Sequence, residues 1–321
     1  MFYFKLTWWG YAYTFSGEYQ CHLKMGWGIM KSIKLAGLLG CCLLLSACFN
    51  QTEYERLKIS SSTWIGYAPL FYAKEKNWLD AYNIKLTQVV SLSENMYLYE
   101  AGNSDAYVGT QYEYQLLSKK IPSLKPVVLF DRSNGGDMIL ANQSIESLKQ
   151  AEQIEAYLEL DSVNSVLLHD FIQKHQIGAK INYHNKDQAE ISVLVADPEN
   201  NTVVVSYDPY QYRLQNNGFT EIASTANIDE LMVVDALFTT QDTLQKHEAQ
   251  FRALKKMVGD ALLELKRDPE AFYETIKPHL RHLKYQQFLN SLTKIEWLTP
   301  PLSDALAQRI EASGLPTDGL L

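Results

Sequence analysis

From Leu57 onward the chain alternates short β-like runs with helical ones, which limits it to an α/β fold with a mostly parallel sheet. Leu57-Lys-Ile-Ser-Ser61 alternates with the period of a strand. A loop over 63–67 follows, then a helix over 68–78 with Pro69 in its first turn, where a missing N–H costs little. Strands are predicted over 84–90, 106–110 and 125–130, and a helix over 94–101 that ends at Gly102. In such sheets ligands bind beyond the carboxyl ends of the strands, so the loops at 63–67, 91–94, 110–113 and 131–137 form the candidate site. A second α/β unit is predicted from a strand at 154–160, a helix at 162–175 and strands at 179–183 and 201–206. β character returns at 231–234. The helix over 248–266 places Phe251, Leu254, Val258, Leu262 and Leu265 at spacings of three and four, and helices over 269–276, 285–292 and 303–312 complete the chain. With 321 residues, 46% of them hydrophobic, there is enough chain for two lobes with separate cores.

The N-terminal segment reads as an export signal. Met30-Lys-Ser-Ile-Lys34 is basic, and the apolar run over 35–45 is too short to cross a bilayer as a helix. Leu45-Ser46-Ala47-Cys48 closes it in the manner of a bacterial lipobox, with Cys48 the thiol for lipid attachment. Residues 1–29 are expected to be an upstream extension from a mis-assigned start, with Met25 or Met30 the true one; 30–47 is the signal peptide and 48–56 a tether. Of the four cysteines (Cys21, Cys41, Cys42, Cys48) only Cys48 survives processing, so the exported part has no disulfide. The expected location is the periplasm or cell surface, lipid-anchored at Cys48 through acyl chains such as palmitate. Phe49 after the cysteine resembles an outer-membrane signal, and the choice of membrane stays open. The whole chain carries a formal charge of -8; losing Lys5, Lys24, Lys31, Lys34 and Glu18 with the leader leaves 25 basic against 36 acidic residues, about -11. That balance argues against a nucleic-acid partner, which needs a basic face.

Five segments, in order, resemble the solute-binding proteins that serve nitrate, sulfonate, taurine and thiamine-precursor ABC transporters. They are Trp64 to Lys76 (WIGYAPLFYAKEK), Glu100 to Ala106 (EAGNSDA), Asp131 to Ile139 (DRSNGGDMI), Glu159 to Asn164 (ELDSVN) and Tyr207 to Tyr210 (YDPY). Two departures stand out: the usual D-L-K-G-K after the third motif is Leu148 to Glu152 (LKQAE), and the glycine of the fourth is Asp161. The resemblance implies an α/β, two-lobed type II periplasmic-binding fold, with mixed, mostly parallel sheets flanked by helices and a hinge between the lobes. It places lobe 1 at 57–136 and 228–321 and lobe 2 at 137–227, with crossing strands near 134–138 and 226–231 as the hinge. It also implies a monomer that closes on a small-molecule ligand and docks on an ABC permease, with no cofactor and no catalysis. A sensor subunit docking on a membrane signalling receptor would use the same cleft, so that alternative stays open.

The candidate ligand-binding residues lie in the strand-end loops, each with a structural alternative. Trp64 stacks on the ligand or packs in the core, Gly66 lets backbone approach closely, and Tyr67 offers a hydroxyl or plain packing. Thr110 and Glu113 follow the third strand, and Ser133 and Asp137 sit at the first crossing, Asp137 as ligand or hinge residue. Asp161, Ser162 and Asn164 lie at a helix N-terminus, where polar groups are captured or the helix is simply capped. Asp208 and Tyr210 follow the last strand of lobe 2, Asp208 as ligand or turn residue, and Asp235 lies near the return crossing. The loops carry Glu113, Asp131, Asp137, Asp161, Asp208 and Asp235 against Arg132 alone. An anion beside an uncompensated buried carboxylate is costly, so the expected ligand is neutral or amine-bearing, in the manner of a pyrimidine or amino compound. His279 and His282 are three apart, and two ligands make no zinc site, so no metal is expected.

Overall fold

Leu57 and Ile59 bury their side chains on β1 (Leu57–Ser61), and β-neighbours flank this strand on both sides. The structure is a computed structural model that describes residues 54–227, 231–281, 283–298 and 301–321. The leader, Cys48, most of the tether, part of the return crossing and His282 lie outside the described residues.

The first lobe begins with β1, α1 (Ala68–Glu75), β2 (Ile84–Gln88), α2 (Leu92–Glu100), β3 (Ala106–Thr110), α3 (Gln111–Ser118) and β4 (Leu124–Ser133). The chain then crosses into β5 (Asp137–Ala141), α4 (Ile145–Gln150), β6 (Gln153–Leu158), α5 (Val163–His175), β7 (Lys180–Asn185), α6 (Gln188–Ile191), β8 (Thr202–Tyr207), α7 (Gln211–Asn216) and β9 (Thr220–Ser224). It returns through β10 (Val234–Thr240), α8 (Gln241–Lys246), α9 (Glu248–Arg267), α10 (Pro269–Ile276), α11 (Tyr285–Leu292), β11 (Ile295–Trp297) and α12 (Asp304–Ala312).

Two mixed sheets result: a six-stranded one in the order β11-β4-β10-β3-β1-β2, and a five-stranded one in the order β7-β6-β8-β5-β9. In the first, β1 runs parallel to β2 and β3, while β10 is antiparallel to both β3 and β4. In the second, β6 runs parallel to β7 and β8, while β5 is antiparallel to β8 and β9. The carboxyl ends of β1, β3 and β4 therefore share an edge with the start of β10. Likewise β6 and β8 end where β5 begins. Both edges face the space between the lobes, where an α/β sheet places its ligand.

Local chemistry starts the helices at these edges. Ser91 caps α2 by accepting from the Glu94 N–H at 3.2 Å, and Ser162 caps α5 by accepting from the Asn164 N–H at 3.2 Å. Thr110 and Glu113 form a reciprocal capping box on α3, where glutamate at the third helical position answers the cap residue. Pro69 sits in the first turn of α1. On α9, Phe251, Leu254, Val258, Ala261 and Leu265 are buried, while Leu262 is only partly covered.

Several expected boundaries shift. The first helix ends at Glu75 rather than at 78, because Asn77 takes a left-handed φ of 57°. The helix expected at 94–101 starts at Leu92, and β4 runs three residues further than expected, to Ser133. The β character expected at 231–234 belongs to β10, which starts at Val234 and extends to Thr240. Among the described residues no helix is long and apolar enough to cross a membrane.

The second lobe's core gathers Ile139, Leu148, Leu167, Phe171 and Val205 on one face of its sheet. Phe171 is 1% exposed there. Replacing it with alanine is expected to cost about 3–5 kcal/mol of stability, since surrounding side chains relax only partly into the space; urea denaturation of wild type and Phe171→Ala measures this.

Candidate functional site

Strand register brings the acidic residues together before any side chain is considered. Asp235 on β10 lies directly opposite Thr110 on β3 and opposite Asp131 on β4. On the other sheet, Asp137 at the start of β5 lies opposite Tyr207 at the end of β8. Like charges directly across a ladder repel, so Asp131 and Asp235 need a proton or a cation between them.

The cavity between the lobes is lined by Trp64, Leu92, Thr110 and Asp235 from the first lobe and Asp137 and Tyr207 from the second. It measures about 10 Å³, about the space one water needs. The lobes are closed on each other. The Thr63 and Tyr210 hydroxyls meet at 2.5 Å, the Tyr97 hydroxyl donates to Asp161 at 2.7 Å, and the Ser291 hydroxyl donates to Asp208 at 2.5 Å. The Val163 N–H donates to Glu113 at 2.9 Å, and the Leu92 N–H donates to Glu159 at 2.7 Å.

Trp64 is 3% exposed, yet its ring edge closes the cavity against Tyr207, with centroids 6.0 Å apart. Its indole N–H donates to Asp131 at 3.0 Å. Gly66 makes this possible: a Cβ there would sit 2.0 Å from Asp131 Oδ2 and 2.4 Å from the indole nitrogen. Gly136 does the same from the crossing, where a Cβ would lie 2.3 Å from the far rim of the indole. Tyr67 is fully buried behind the cavity and donates its hydroxyl to Asp235. Ser133 shares a hydrogen bond with Thr225 at 2.8 Å and accepts from the Asp137 N–H at 3.0 Å, tying the two crossings together.

Among the other sequence candidates, Ser162 and Asn164 are buried at the start of α5, Ser162 as its cap and Asn164 accepting from Gln188 at 3.2 Å. Asp208 is buried among Gln211, Ser291 and, at 3.7 Å, Lys294. Tyr210 faces Thr63 at one end and lies under the Arg281 guanidinium, 5.6 Å away. Asp161 stands outside the cavity: its left-handed φ of 56° turns the exposed side chain towards Tyr97. Arg132 is drawn off to the surface by Glu296. His279 stacks on Phe71 and reaches Gln88 and Glu75. Leu92 and Asp131 lie in the candidate loops without having been named as ligand contacts, and Glu159 and Tyr207 were passed over although both lie inside the resembling motifs.

Burial raises the carboxyl pKa throughout this cleft. Asp137 is pushed up to about 7 by burial, opposed by the Ser133 hydroxyl and reinforced by Glu113 and Asp208. Glu159 is pushed up to about 8 by burial, against donation from Leu92 and Ser91. Burial raises Asp131 and Asp235, and each carboxylate raises its neighbours further. Glu113 and Asp208 are raised by burial too, with Thr110 holding the first down and Lys294 the second. Asp131 Oδ2 and Asp208 Oδ2 are buried with no hydrogen-bond partner among the described residues. This site can neutralise and hold positive charge.

The fold is that of the periplasmic binding proteins. The ligand-binding component of an ABC-type import system from Staphylococcus aureus superposes with a TM-score of 0.63 at 13% identity, covering 83% of this chain and 96% of that one. The alkanesulfonate-binding protein SsuA from Xanthomonas axonopodis pv. citri gives 0.63 at 14% identity, covering 84% and 97%. A Candida albicans gene product with the generic periplasmic binding protein fold gives 0.62 at 11% identity, covering 83% and 98%. No family model and no curated protein sequence matches the chain.

Two substitutions probe the site. Asp131→Asn keeps the acceptor for Trp64 and removes an ionisation that burial opposes. A carboxyl whose pKa is raised on folding stabilises below its unfolded value near 4 and loses that stability as pH rises through the raised value. Wild-type melting temperature should therefore fall from pH 5.5 to pH 8, and Asp131→Asn should fall less; thermal denaturation at both pH values reads the difference. Gly66→Ala must displace the indole or the Asp131 carboxylate, at a cost of about 1–3 kcal/mol. Its tryptophan emission should shift to the red as Trp64 loses its seat.

Proposed function

We propose that this chain is the substrate-binding lipoprotein of an ABC importer, capturing a small polar, amine-bearing or pyrimidine-like solute by closing its two lobes. One observation carries the reading: the cavity is built from both lobes at once, with Trp64, Thr110 and Asp235 on one side and Asp137 and Tyr207 on the other. A solute held there touches both sheets and favours the closed form by its differential contacts. The fold is shared with the ligand-binding component of an ABC-type import system, which supports the transport assignment. The permease is the partner that reads closure, and no catalytic step is assigned to the chain.

We place the lobe boundaries at 57–136 with 228–321, and at 137–227, and the hinge at the two crossings that Ser133 and Thr225 connect. Trp64, Thr110, Asp137 and Asp235 are the first-choice ligand contacts, with Tyr67, Gly66 and Ser133 supporting them from behind. Glu113, Ser162, Asn164, Asp208 and Tyr210 shape the lobe contact around them, and Asp161 joins the rim. Cys48 is the lipid attachment point, holding the protein at the outer face of a membrane.

A thermal-shift screen tests the reading. At a hundred times its Kd, a solute bound by the folded state alone adds about 2.7 kcal/mol, which raises the melting temperature by about 5 °C or more. A Cys48→Ser variant should leave the membrane fraction while still binding the hit; a variant that stays in the membrane removes the lipoprotein assignment.

A further inference from the structure

Each lobe presses its own carboxyl group onto a helix of the other. Glu113, in the first turn of α3, accepts from the Val163 N–H that opens α5 across the cleft at 2.9 Å. Glu159, just past the end of β6, accepts from the Leu92 N–H that opens α2 at 2.7 Å and from the Ser91 hydroxyl at 3.1 Å. Helix N-termini are the natural seats of anionic ligands. Both of these N-termini are taken by side chains of the protein.

Asp137 and Asp235 line the cavity beside these seats, and Asp131, across the ladder from Asp235, has one oxygen buried and unpartnered among the described residues. The groups facing them are Glu113, Asp208 and the Tyr67 hydroxyl, while Glu159 stands nearer Glu113 and Asp187. The nearby basic groups serve other partners: Lys294 approaches Asp208 and Glu221 at 3.7 Å, Arg132 pairs with Glu296, and Arg281 covers Tyr210. An anion entering this cavity meets carboxylates and no free helix end. A cation meets carboxylates and the aromatic surface of Trp64 and Tyr207.

We propose that the cleft selects a small organic cation, an alkylammonium or guanidinium-type group, through Asp137 and Asp235 on its wall and Asp131 across the ladder from Asp235, while Glu113 and Glu159 bar anionic solutes by filling both helix N-termini. The proposal rests on the solute-binding reading and names the charge of the solute. Closing the empty cleft takes up protons, because these carboxyl groups hold them more tightly when buried. A bound cation supplies the missing positive charge and releases those protons. Affinity for the cation therefore rises with pH, about tenfold per pH unit for each proton released, and levels off above the raised carboxyl values.

Calorimetric titration of the protein with methylammonium, ethanolamine and guanidinium at pH 6, 7 and 8 tests this. Nitrate and ethanesulfonate serve as anionic counterparts. Two buffers of different ionisation heat report the protons released. At least one cation should bind with proton release, about tenfold or more tighter at pH 7 than at pH 6, and neither anion should bind. Glu159→Ala, which leaves α2 its Ser91 cap, should gain ethanesulfonate binding that the wild type lacks; should that variant fold poorly, the wild-type proton count still decides. Anions binding the wild type while the cations are inert overturns the charge assignment and leaves the solute-binding reading standing. Cation affinity that does not change with pH overturns the exchange. Binding of neither sign overturns this inference and leaves the solute-binding reading to the thermal-shift screen.

Discussion

Every buried carboxyl group among the described residues lies in the space between the lobes: Glu113, Asp131, Asp137, Glu159, Asp208 and Asp235. No lysine or arginine is buried with them. Removing a carboxylate from water is costly unless it is paired or protonated, so the contact between lobes is conditional on what neutralises these groups. A folded core rarely carries such a concentration of one sign. Here it is confined to the contact between the lobes, while the second lobe keeps a separate apolar core around Ile139, Phe171 and Val205.

The backbone prepares this arrangement with small means. Ladder pairing sets Asp235 between Thr110 and Asp131. Gly66 and Gly136 remove the two methylene-sized obstacles to Trp64, so a large ring can lie flat against the crossing and still reach Asp131. The Ser133–Thr225 contact pins the two crossings side by side, and the Asp137 N–H is held by the same serine. The residue that presents a carboxyl group to the cavity is thus anchored at the proposed hinge.

Periodicity made much of the fold legible. β1 and β2 alternate enough to be recognised, and α9 announces its buried face through Phe251, Leu254 and Val258. β5 is buried along its whole length and shows no alternation, so it read only as a crossing near 134–138. β9 and the three-residue β11 are too short or too mixed to stand out, and α3 opens on Gln111 and Tyr112, which carry no clear helical period. At the site, the strand-end rule pointed to Trp64, Thr110, Asp137 and Asp235, all of which line the cavity. It missed Glu159 and Tyr207, because their place depends on partners in the opposite lobe, Leu92 for one and the Trp64 ring for the other. Asp161 looked like a helix-end ligand, but a left-handed backbone turns it outward, which a sequence of side chains does not reveal.

The capping box on α3 has a mechanical consequence. One Glu113 oxygen is committed to Thr110 within its own lobe, and only the other reaches Val163. Ser91 and Ser162 likewise keep their helices capped from within. Were the halves to part, as the proposed capture requires, each helix would lose one borrowed contact and retain its own stopper. The halves can move as stiff blocks, and the work of opening falls on the joint and on the wetting of a few polar groups, with neither block obliged to fray.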